Sequence, residues 1–335
     1  MTFTAPYRDR TVARYKNAAM ATGLLLHVVL HALLICATGC NRMPAPASAD
    51  DLRKACCVFS TDSGRLIGGG VFVGIEDDGR QRMFCLTALH VAVMTDSEHT
   101  GSFYRQSGSM RLHVAGKERE DIKIEPRFDE NRWFAESSHR DVAWVEIAPT
   151  ELASWRDKGA DIRFLFAGKS LAEPLQCRPI DDFIAGASVL RHSEAGKAGL
   201  SDESQVCFSL PRRICRPGMT CAAGGVTNAL VCLKSNSLEN VGVEFNDGIR
   251  KYLLKTKQLV ARTSTLKGDS GSPVFVNCMY KNHTYPFLLG LLSATNDDIA
   301  ETSIMPLDEV FPVMGKGLAR NINAVLECCE VNATR

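Results

Sequence analysis

Residues 267–275 read Lys-Gly-Asp-Ser-Gly-Ser-Pro-Val-Phe, which places a serine between two glycines and ahead of a strand-like apolar run. A serine hydroxyl is a weak nucleophile unless a base takes its proton and backbone N–H groups stabilise the oxyanion that follows. Gly268 and Gly271 allow the backbone to turn sharply and expose Ser270. A short Gly-x-Ser-Gly alone indicates only a turn, so a catalytic role requires a base and an acid elsewhere in the chain.

A histidine and an aspartate in strand-like surroundings are candidates for that base and acid. Two β-prone runs, 69–75 and 83–87, flank an Asp-Gly turn and predict a β-hairpin, and His90 follows within Thr-Ala-Leu-His-Val. Asp141 stands apart among the aspartates between His90 and Ser270 because it opens the β-type run Asp-Val-Ala-Trp-Val-Glu-Ile. The chain therefore presents a histidine, an aspartate and a serine in that order.

The three blocks together resemble the active-site motifs of the chymotrypsin/trypsin-like serine peptidases, and the block around the serine is the most specific of them. The resemblance implies that Ser270 attacks a peptide carbonyl and that His90 is the general base. It also implies that Asp141 holds the tautomer of that histidine, and that the N–H groups of Gly268 and Ser270 form the oxyanion hole. The predicted function is therefore a serine endopeptidase that works through an acyl-enzyme and needs no cofactor and no metal.

The same resemblance implies an all-β fold of two packed antiparallel β-barrels with six strands each. We expect the N-terminal barrel over residues 52–170 and the C-terminal barrel over residues 171–335. The chain between the acid and the nucleophile is longer than the family minimum suggests, and we expect the excess as a cysteine-rich insertion at about 186–240. Helical spacing of apolar residues over 312–331 predicts a terminal helix on the second barrel.

Residues on either side of the nucleophile are expected to line the substrate pocket. The resemblance implies this role for Ser264 and Thr265, and for Ser293 and Thr295 on a predicted strand with a Gly-x-x-Ser block. Ser264 stands where trypsin-type enzymes carry an aspartate, and Leu292 stands where glutamate-cleaving bacterial members carry a histidine. A neutral pocket for small, apolar or polar side chains is therefore expected.

The cysteine content and the charge balance limit the other functional classes. Thirteen cysteines are many for a reduced cytosolic protein and, together with export, favour disulfides. The cluster of Cys207, Cys215, Cys221 and Cys232 lacks the C-x-x-C spacing of zinc sites, which disfavours a metal-binding protein. The 39 basic and 38 acidic residues nearly cancel, so the composition gives no reason to expect nucleic-acid binding.

Residues 1–40 have the composition of a targeting segment, because a basic stretch precedes an apolar run. Small residues just before Cys40 resemble a bacterial lipoprotein cleavage site, although Ala37 stands where leucine is usual. A Pro/Ala-rich linker is expected over residues 41–51. These features predict export to the bacterial cell envelope and attachment to the membrane through a lipid on Cys40. A secretory signal that is cut nearby, which would give a secreted protein, and an uncleaved membrane anchor stay open.

A catalytically inactive protein with the same two barrels is the alternative from another class. It would bind peptides or act as a scaffold in the cell envelope. The ordered set of His90, Asp141 and Ser270 favours the peptidase, because a binding protein has no physical need for all three. The expected partners are accordingly a polypeptide substrate and a membrane.

Overall fold

The computed structural model describes residues 43–61, 64–77, 79–92, 110–117, 121–124, 132–135, 141–168, 182–190, 205–213, 226–234, 239–242, 257–261, 265–266, 268–296, 301–307, 310–315 and 320–321. Every structural statement below concerns these residues. By its internal contacts the chain from Pro44 to Arg335 belongs to one unit.

Strands are much more numerous than helices in this part of the chain. The described helices are α1 Ala49–Lys54, α2 Leu89–Ala92, α3 Pro149–Asp157 and α4 Val310–Gly315. The described strands are β1 Cys56–Ser60, β2 Leu66–Asp77, β3 Arg80–Thr87, β4 Arg111–Ala115, β5 Asp121–Ile124, β6 Phe134–Ala135, β7 Ala143–Glu146, β8 Leu165–Phe166, β9 Ser188–Val189, β10 Gln205–Arg213, β11 Val226–Lys234, β12 Glu239–Gly242, β13 Lys257–Ala261, β14 Pro273–Tyr280, β15 His283–Asn296, β16 Glu301–Pro306 and β17 Arg320–Asn321.

Two sheets make up the fold, and the predicted all-β class is confirmed. The first sheet has the strand order β17-β6-β7-β3-β2-β1-β4-β5, with β8 added in parallel to β2. The second sheet has the order β11-β10-β14-β15-β16-β13-β12, with β9 added in parallel to β15. The other strand pairs in the described residues are antiparallel. The sheets therefore contain nine and eight described strands, where six each were expected.

Tight turns account for the antiparallel neighbours. Between β2 and β3 the turn passes through Gly79 at φ 74°, as the Asp-Gly signal predicts. Between β14 and β15 it is formed by Lys281 and Asn282, both with positive φ, which is the requirement of a type I′ hairpin turn.

One buried apolar cluster contains side chains from both sheets. Phe59, Phe72 and Phe84 of the first sheet belong to the same buried cluster as Phe275 and Leu288 of the second sheet. Burial of one such side chain stabilises the folded state by about 1.5–3 kcal/mol. Apolar packing therefore holds together the two sheets that carry the candidate catalytic residues.

Part of the predicted linker over residues 41–51 is packed against the fold. Ser48 caps helix α1, which occupies the last three linker positions. The Tyr285 hydroxyl donates to the Pro44 carbonyl at 3.1 Å, and the N–H of Ala47 donates to the Gly186 carbonyl at 3.0 Å. The sequence predicts a Pro/Ala-rich linker here, and these hydrogen bonds attach Pro44 and Ala47 to the rest of the fold.

The predicted insertion at about 186–240 contributes strands to the second sheet. Strands β9, β10 and β11 lie inside it, and β10 pairs with β14, with Phe208 opposite Val274. The apolar residues Val206, Phe208 and Leu210 alternate along β10, as expected for a strand. Chain length alone suggested a loop insertion here, whereas the alternation indicated sheet.

The predicted terminal helix over residues 312–331 is wrong in its extent. Helix α4 ends at Gly315. Strand β17 then pairs with β6 in the first sheet. Residues 322–331 lie outside the described part of the chain.

No disulfide is formed by the cysteines whose side chains the structure describes. Cys56, Cys57, Cys85 and Cys278 are buried, and none of the four is in a disulfide bond. The Sγ atoms of Cys57 and Cys85 are 3.6 Å apart, well beyond the about 2.05 Å of a disulfide bond. Burial, followed by the contact with Cys85, raises the pKa of the Cys57 thiol, so Cys57 acts as a small apolar group. Cys207 and Cys232 lie opposite each other in the β10–β11 pair, where only the main chain is described.

Candidate active site

The candidate nucleophile lies in two consecutive tight turns, called here the double turn and defined as the described residues from Leu266 to Ser272. The N–H groups of Asp269 and Ser272 each donate to the carbonyl three residues earlier, at 2.9 and 3.1 Å. The third residue of each turn is a glycine with positive φ, Gly268 at 98° and Gly271 at 77°. Residues with a side chain rarely adopt this conformation, so both turns require glycine.

The double turn is attached to the first sheet next to the candidate base. The N–H of Gly69 donates to the Ser270 carbonyl at 2.8 Å. A Cβ atom on Gly271 would lie 2.3 Å from Oγ1 of Thr87 and 2.9 Å from the nitrogen of Ala88. Thr87 and Ala88 immediately precede helix α2, which carries His90. The half-buried Ser270 is therefore held beside the segment that presents the imidazole.

Asp141 holds the imidazole of His90 through two hydrogen bonds. Its Oδ1 accepts from the backbone N–H of His90 at 3.0 Å, and its Oδ2 lies 2.7 Å from Nδ1 of the ring. This arrangement follows from the sheet, because β7 begins two residues after Asp141 and pairs with β3 just before His90. An ionised carboxylate only accepts, so Nδ1 must carry the proton and Nε2 is left as a basic nitrogen.

A third hydrogen bond reaches the acid from the second sheet. The Ser293 hydroxyl on β15 donates to Oδ2 of Asp141 at 2.7 Å, and both side chains are buried. Burial by itself raises the pKa of Asp141. The electrostatic interaction with His90 and the hydrogen bonds from His90 and Ser293 outweigh it and hold that pKa below its usual value. Asp141 is therefore ionised at neutral pH, as the imidazole requires. Ser293 was predicted to line the substrate pocket, and the structure places its hydroxyl on the acid.

The groups that would meet a substrate have no partner among the described residues. Nε2 of His90 is buried and accepts no hydrogen bond. No described group bonds to the Ser270 hydroxyl or to the N–H groups of Gly268 and Ser270. Catalytic hydrogen bonds are often long or poorly aligned before a substrate binds. The arrangement can therefore accept a proton at Nε2 and stabilise an oxyanion at the double turn.

A guanidinium group supports the double turn from strand β10. Arg212 donates from Nη1 to Oδ1 of Asp269 and from Nη2 to Oδ2 at 3.1 Å. The N–H of Leu266 also donates to Oδ2, at 2.8 Å. Sequence reasoning missed Arg212 because it assigned this segment to an insertion. The alternating pattern of β10 was the available signal.

Two of the remaining pocket predictions fall on residues with described positions. Thr265 is buried, and its Oγ1 lies 3.4 Å from Oγ1 of Thr302 on β16, a neighbour that sequence reasoning missed. Thr295 lies in β15, where its main chain is described. Ser264 and Cys40 lie outside the described residues.

The described residues contain neither a group of metal ligands nor a membrane-spanning helix. Within them, no three His, Cys, Asp or Glu side chains are grouped so that they could hold a metal ion. The helices in the same residues are all too short or too polar to cross a membrane.

Comparisons with known proteins give likenesses at the level of structure only. No protein-family model and no curated protein sequence matches this chain. One similar solved structure is the tobacco vein mottling virus protease, with a TM-score of 0.37, 9% identity, and coverage of 79% of this chain and 83% of that chain. Another is a catalytically inactive tobacco etch virus protease complexed with substrate, with a TM-score of 0.36, 12% identity, and coverage of 78% and 81%. The roles given to individual residues therefore rest on the geometry of this chain.

Proposed function

We propose that this chain is a serine endopeptidase of the chymotrypsin-like type, with Ser270 as nucleophile, His90 as general base and Asp141 as the orienting acid. The observation that carries the proposal is the double hydrogen bond from His90 to the buried carboxylate of Asp141. It fixes the ring orientation and the tautomer with a basic Nε2. A histidine with a purely structural role does not need a buried, ionised partner at Nδ1.

The proposed reaction begins with attack of the Ser270 hydroxyl on a peptide carbonyl while Nε2 of His90 takes the proton. Asp141 stabilises the imidazolium ion that forms. The N–H groups of Gly268 and Ser270 donate to the oxyanion of the tetrahedral intermediate. His90 then protonates the leaving amine, and a water molecule activated by the same nitrogen releases the acyl group from Ser270.

Covalent labelling by a fluorophosphonate probe tests this proposal without knowledge of the substrate. We expect the wild-type protein to be labelled at Ser270, as identified by peptide mass mapping, and the Ser270→Ala variant to be unlabelled. Ser154→Ala is the matched control, because Ser154 is an exposed serine on helix α3. Absence of labelling in folded wild-type protein would favour the inactive peptide-binding or scaffold protein.

Substrate preference and location are further parts of the proposal. A neutral substrate pocket near Thr265 would accept small, apolar or polar side chains, and cleavage-site mapping with a peptide library tests this. Export and lipid attachment at Cys40 stay predictions of the sequence. The intact mass of membrane-extracted protein tests them, because the absence of a diacylglycerol-sized increment on Cys40 excludes the lipoprotein.

A further inference from the structure

We propose that Arg212 is a positioning residue for the catalytic step, because its guanidinium group holds the double turn in the conformation that forms the oxyanion hole. The inference rests on the proposed function and adds a residue from strand β10 to the site. The hydrogen bonds of Arg212 go to Asp269 and to the Pro211 carbonyl, so it would act through Asp269.

Asp269 is the residue that the two halves of the double turn share. Its N–H closes the first turn, which contains Gly268, and its carbonyl closes the second turn, which contains Ser270. A rotation of Asp269 would therefore move both N–H donors of the proposed oxyanion hole. The conformation of this one residue controls the geometry of the whole double turn.

The side chain of Asp269 is buried and needs a cation. Only 1% of the residue is exposed, and a carboxylate removed from water is costly unless it is paired and hydrogen-bonded. In the described part of the chain, the cation that contacts it is Arg212, which binds both carboxylate oxygens. The N–H of Leu266 adds a third donor. A two-point guanidinium contact fixes both the position and the orientation of a carboxylate.

The strand register explains how Arg212 reaches this position. Strand β10 pairs with β14 through Val206 opposite Val276 and Phe208 opposite Val274. Continuation of this register beyond the start of β14 brings Arg212 level with Ser270. The guanidinium therefore belongs to a rigid strand next to the double turn, and it needs no separate segment of chain to place it.

Loss of Arg212 should weaken transition-state stabilisation more than substrate binding. Without the guanidinium, the carboxylate of Asp269 would turn toward water and carry the shared peptide groups with it. The oxyanion exists only after attack, so a displaced oxyanion hole lowers kcat while KM changes little. Removal of one oxyanion donor lowers kcat by about 10²–10³-fold in enzymes of this kind, and we expect a loss of that size for Arg212→Ala.

The experiment compares Arg212→Ala with Arg163→Ala, in which the removed arginine is more exposed and lies 3.7 Å from Asp161. We measure kcat and KM with a peptide identified by cleavage mapping, and the rate of fluorophosphonate labelling. Lysine at this position supplies the charge without the two-point contact, so Arg212→Lys should recover only part of kcat. The Arg212 side chain is 32% exposed, so millimolar methylguanidinium should restore part of the activity of Arg212→Ala. An unchanged kcat in Arg212→Ala, or a loss that neither lysine nor methylguanidinium relieves, would overturn the inference.

Hydrogen exchange separates this inference from the proposed function. The amides of Asp269 and Ser272 close the two turns, and we expect both to exchange faster in Arg212→Ala, with the β2–β3 pair unchanged. If the probe does not label the wild-type protein but both amides exchange faster in Arg212→Ala, the peptidase is contradicted and the positioning by Arg212 stays supported. Unchanged exchange of both amides would refute the positioning, whatever the wild-type activity.

Discussion

Replacement of Asp141 by asparagine isolates the part of the site that sets the tautomer of His90. The introduced side-chain amide can be oriented in two ways, and each creates a conflict. With its oxygen toward the backbone N–H of His90, its NH2 group faces Nδ1 and the Ser293 hydroxyl, which lie 2.7 Å from Oδ2 in the wild type. With the amide reversed, the NH2 group faces the backbone N–H of His90, and two donors cannot form a hydrogen bond with each other. The first orientation is favoured, because the imidazole can move its proton and the hydroxyl can rotate.

The first orientation places the ring proton on Nε2, where it blocks general-base catalysis. An asparagine at this position of a Ser-His-Asp triad lowers kcat by about 10⁴-fold, which corresponds to about 5.5 kcal/mol in the barrier. The cost to folding is smaller. Charge-assisted hydrogen bonds contribute about 1.5–3 kcal/mol and neutral ones about 0.5–1.5 kcal/mol, and the variant also avoids the burial of a charge. We therefore expect a folded protein that has lost its activity.

The assay is the second-order rate of fluorophosphonate labelling at neutral pH, with urea denaturation of the same samples. Asp157→Asn is the control, because Asp157 is exposed at the end of helix α3. The nitrogen chemical shifts of the His90 ring should report a proton on Nε2 in Asp141→Asn and on Nδ1 in the wild type. Labelling at the wild-type rate by folded Asp141→Asn protein would refute the assigned role of the acid.

Four further outcomes follow from the same contacts. Ser293→Ala removes a donor to a buried carboxylate and should slow fluorophosphonate labelling about tenfold without unfolding the protein, and an unchanged rate would mean that this hydroxyl is dispensable. The pKa of Asp141 lies below its ordinary value of 3.8 in the folded protein. The ionised carboxylate therefore stabilises the folded protein fully above that value, and this contribution is lost as the pH falls through the folded pKa. Urea denaturation at a series of pH values should therefore show the stability gap to Asp141→Asn shrinking below about pH 4, and a constant gap would contradict this. Burial raises the pKa of Cys278 to about 12, so mass mapping should find its thiol alkylated only after unfolding, and rapid alkylation of native protein would count against the burial. Gly271→Ala forces a Cβ atom to within 2.3 Å of Oγ1 of Thr87. It should therefore cost more stability than Gly79→Ala, where φ is also positive but no atom lies within 4 Å of the added Cβ. Equal urea denaturation midpoints for the two variants would exclude the clash.

The parts of the site that could be predicted from sequence are those fixed by local structure. His90 directly follows a hairpin with a clear turn signal, Asp141 lies two residues before a strand, and Ser270 lies between the two glycines that its turns require. Each of these motifs depends on a few neighbouring residues. The all-β class follows from the same short strands and turns.

The contacts that escaped prediction join residues far apart in the chain. Arg212 is 57 positions before Asp269, and Ser293 is 152 positions after Asp141. Only the strand register brings these pairs together, and a single sequence does not give the register. For the same reason an extra length of chain was interpreted as an inserted loop, although strand β10 pairs within the sheet.

The contacts also show that neither sheet builds the site alone. The candidate acid and base lie next to strands β7 and β3 of the first sheet, but the acid accepts a hydrogen bond from Ser293 on the second. The nucleophile lies just before strand β14 of the second sheet, but its carbonyl accepts from Gly69 on the first. The two sheets together therefore provide partners for the buried Ser293 hydroxyl and for the Ser270 carbonyl, and an unpaired buried polar group is costly. The docking of the sheets and the alignment of the candidate catalytic groups are consequently coupled, because separation of the two sheets would displace those groups. Substitutions of core residues such as Phe59 and Phe275 should therefore also change the geometry of the candidate active site.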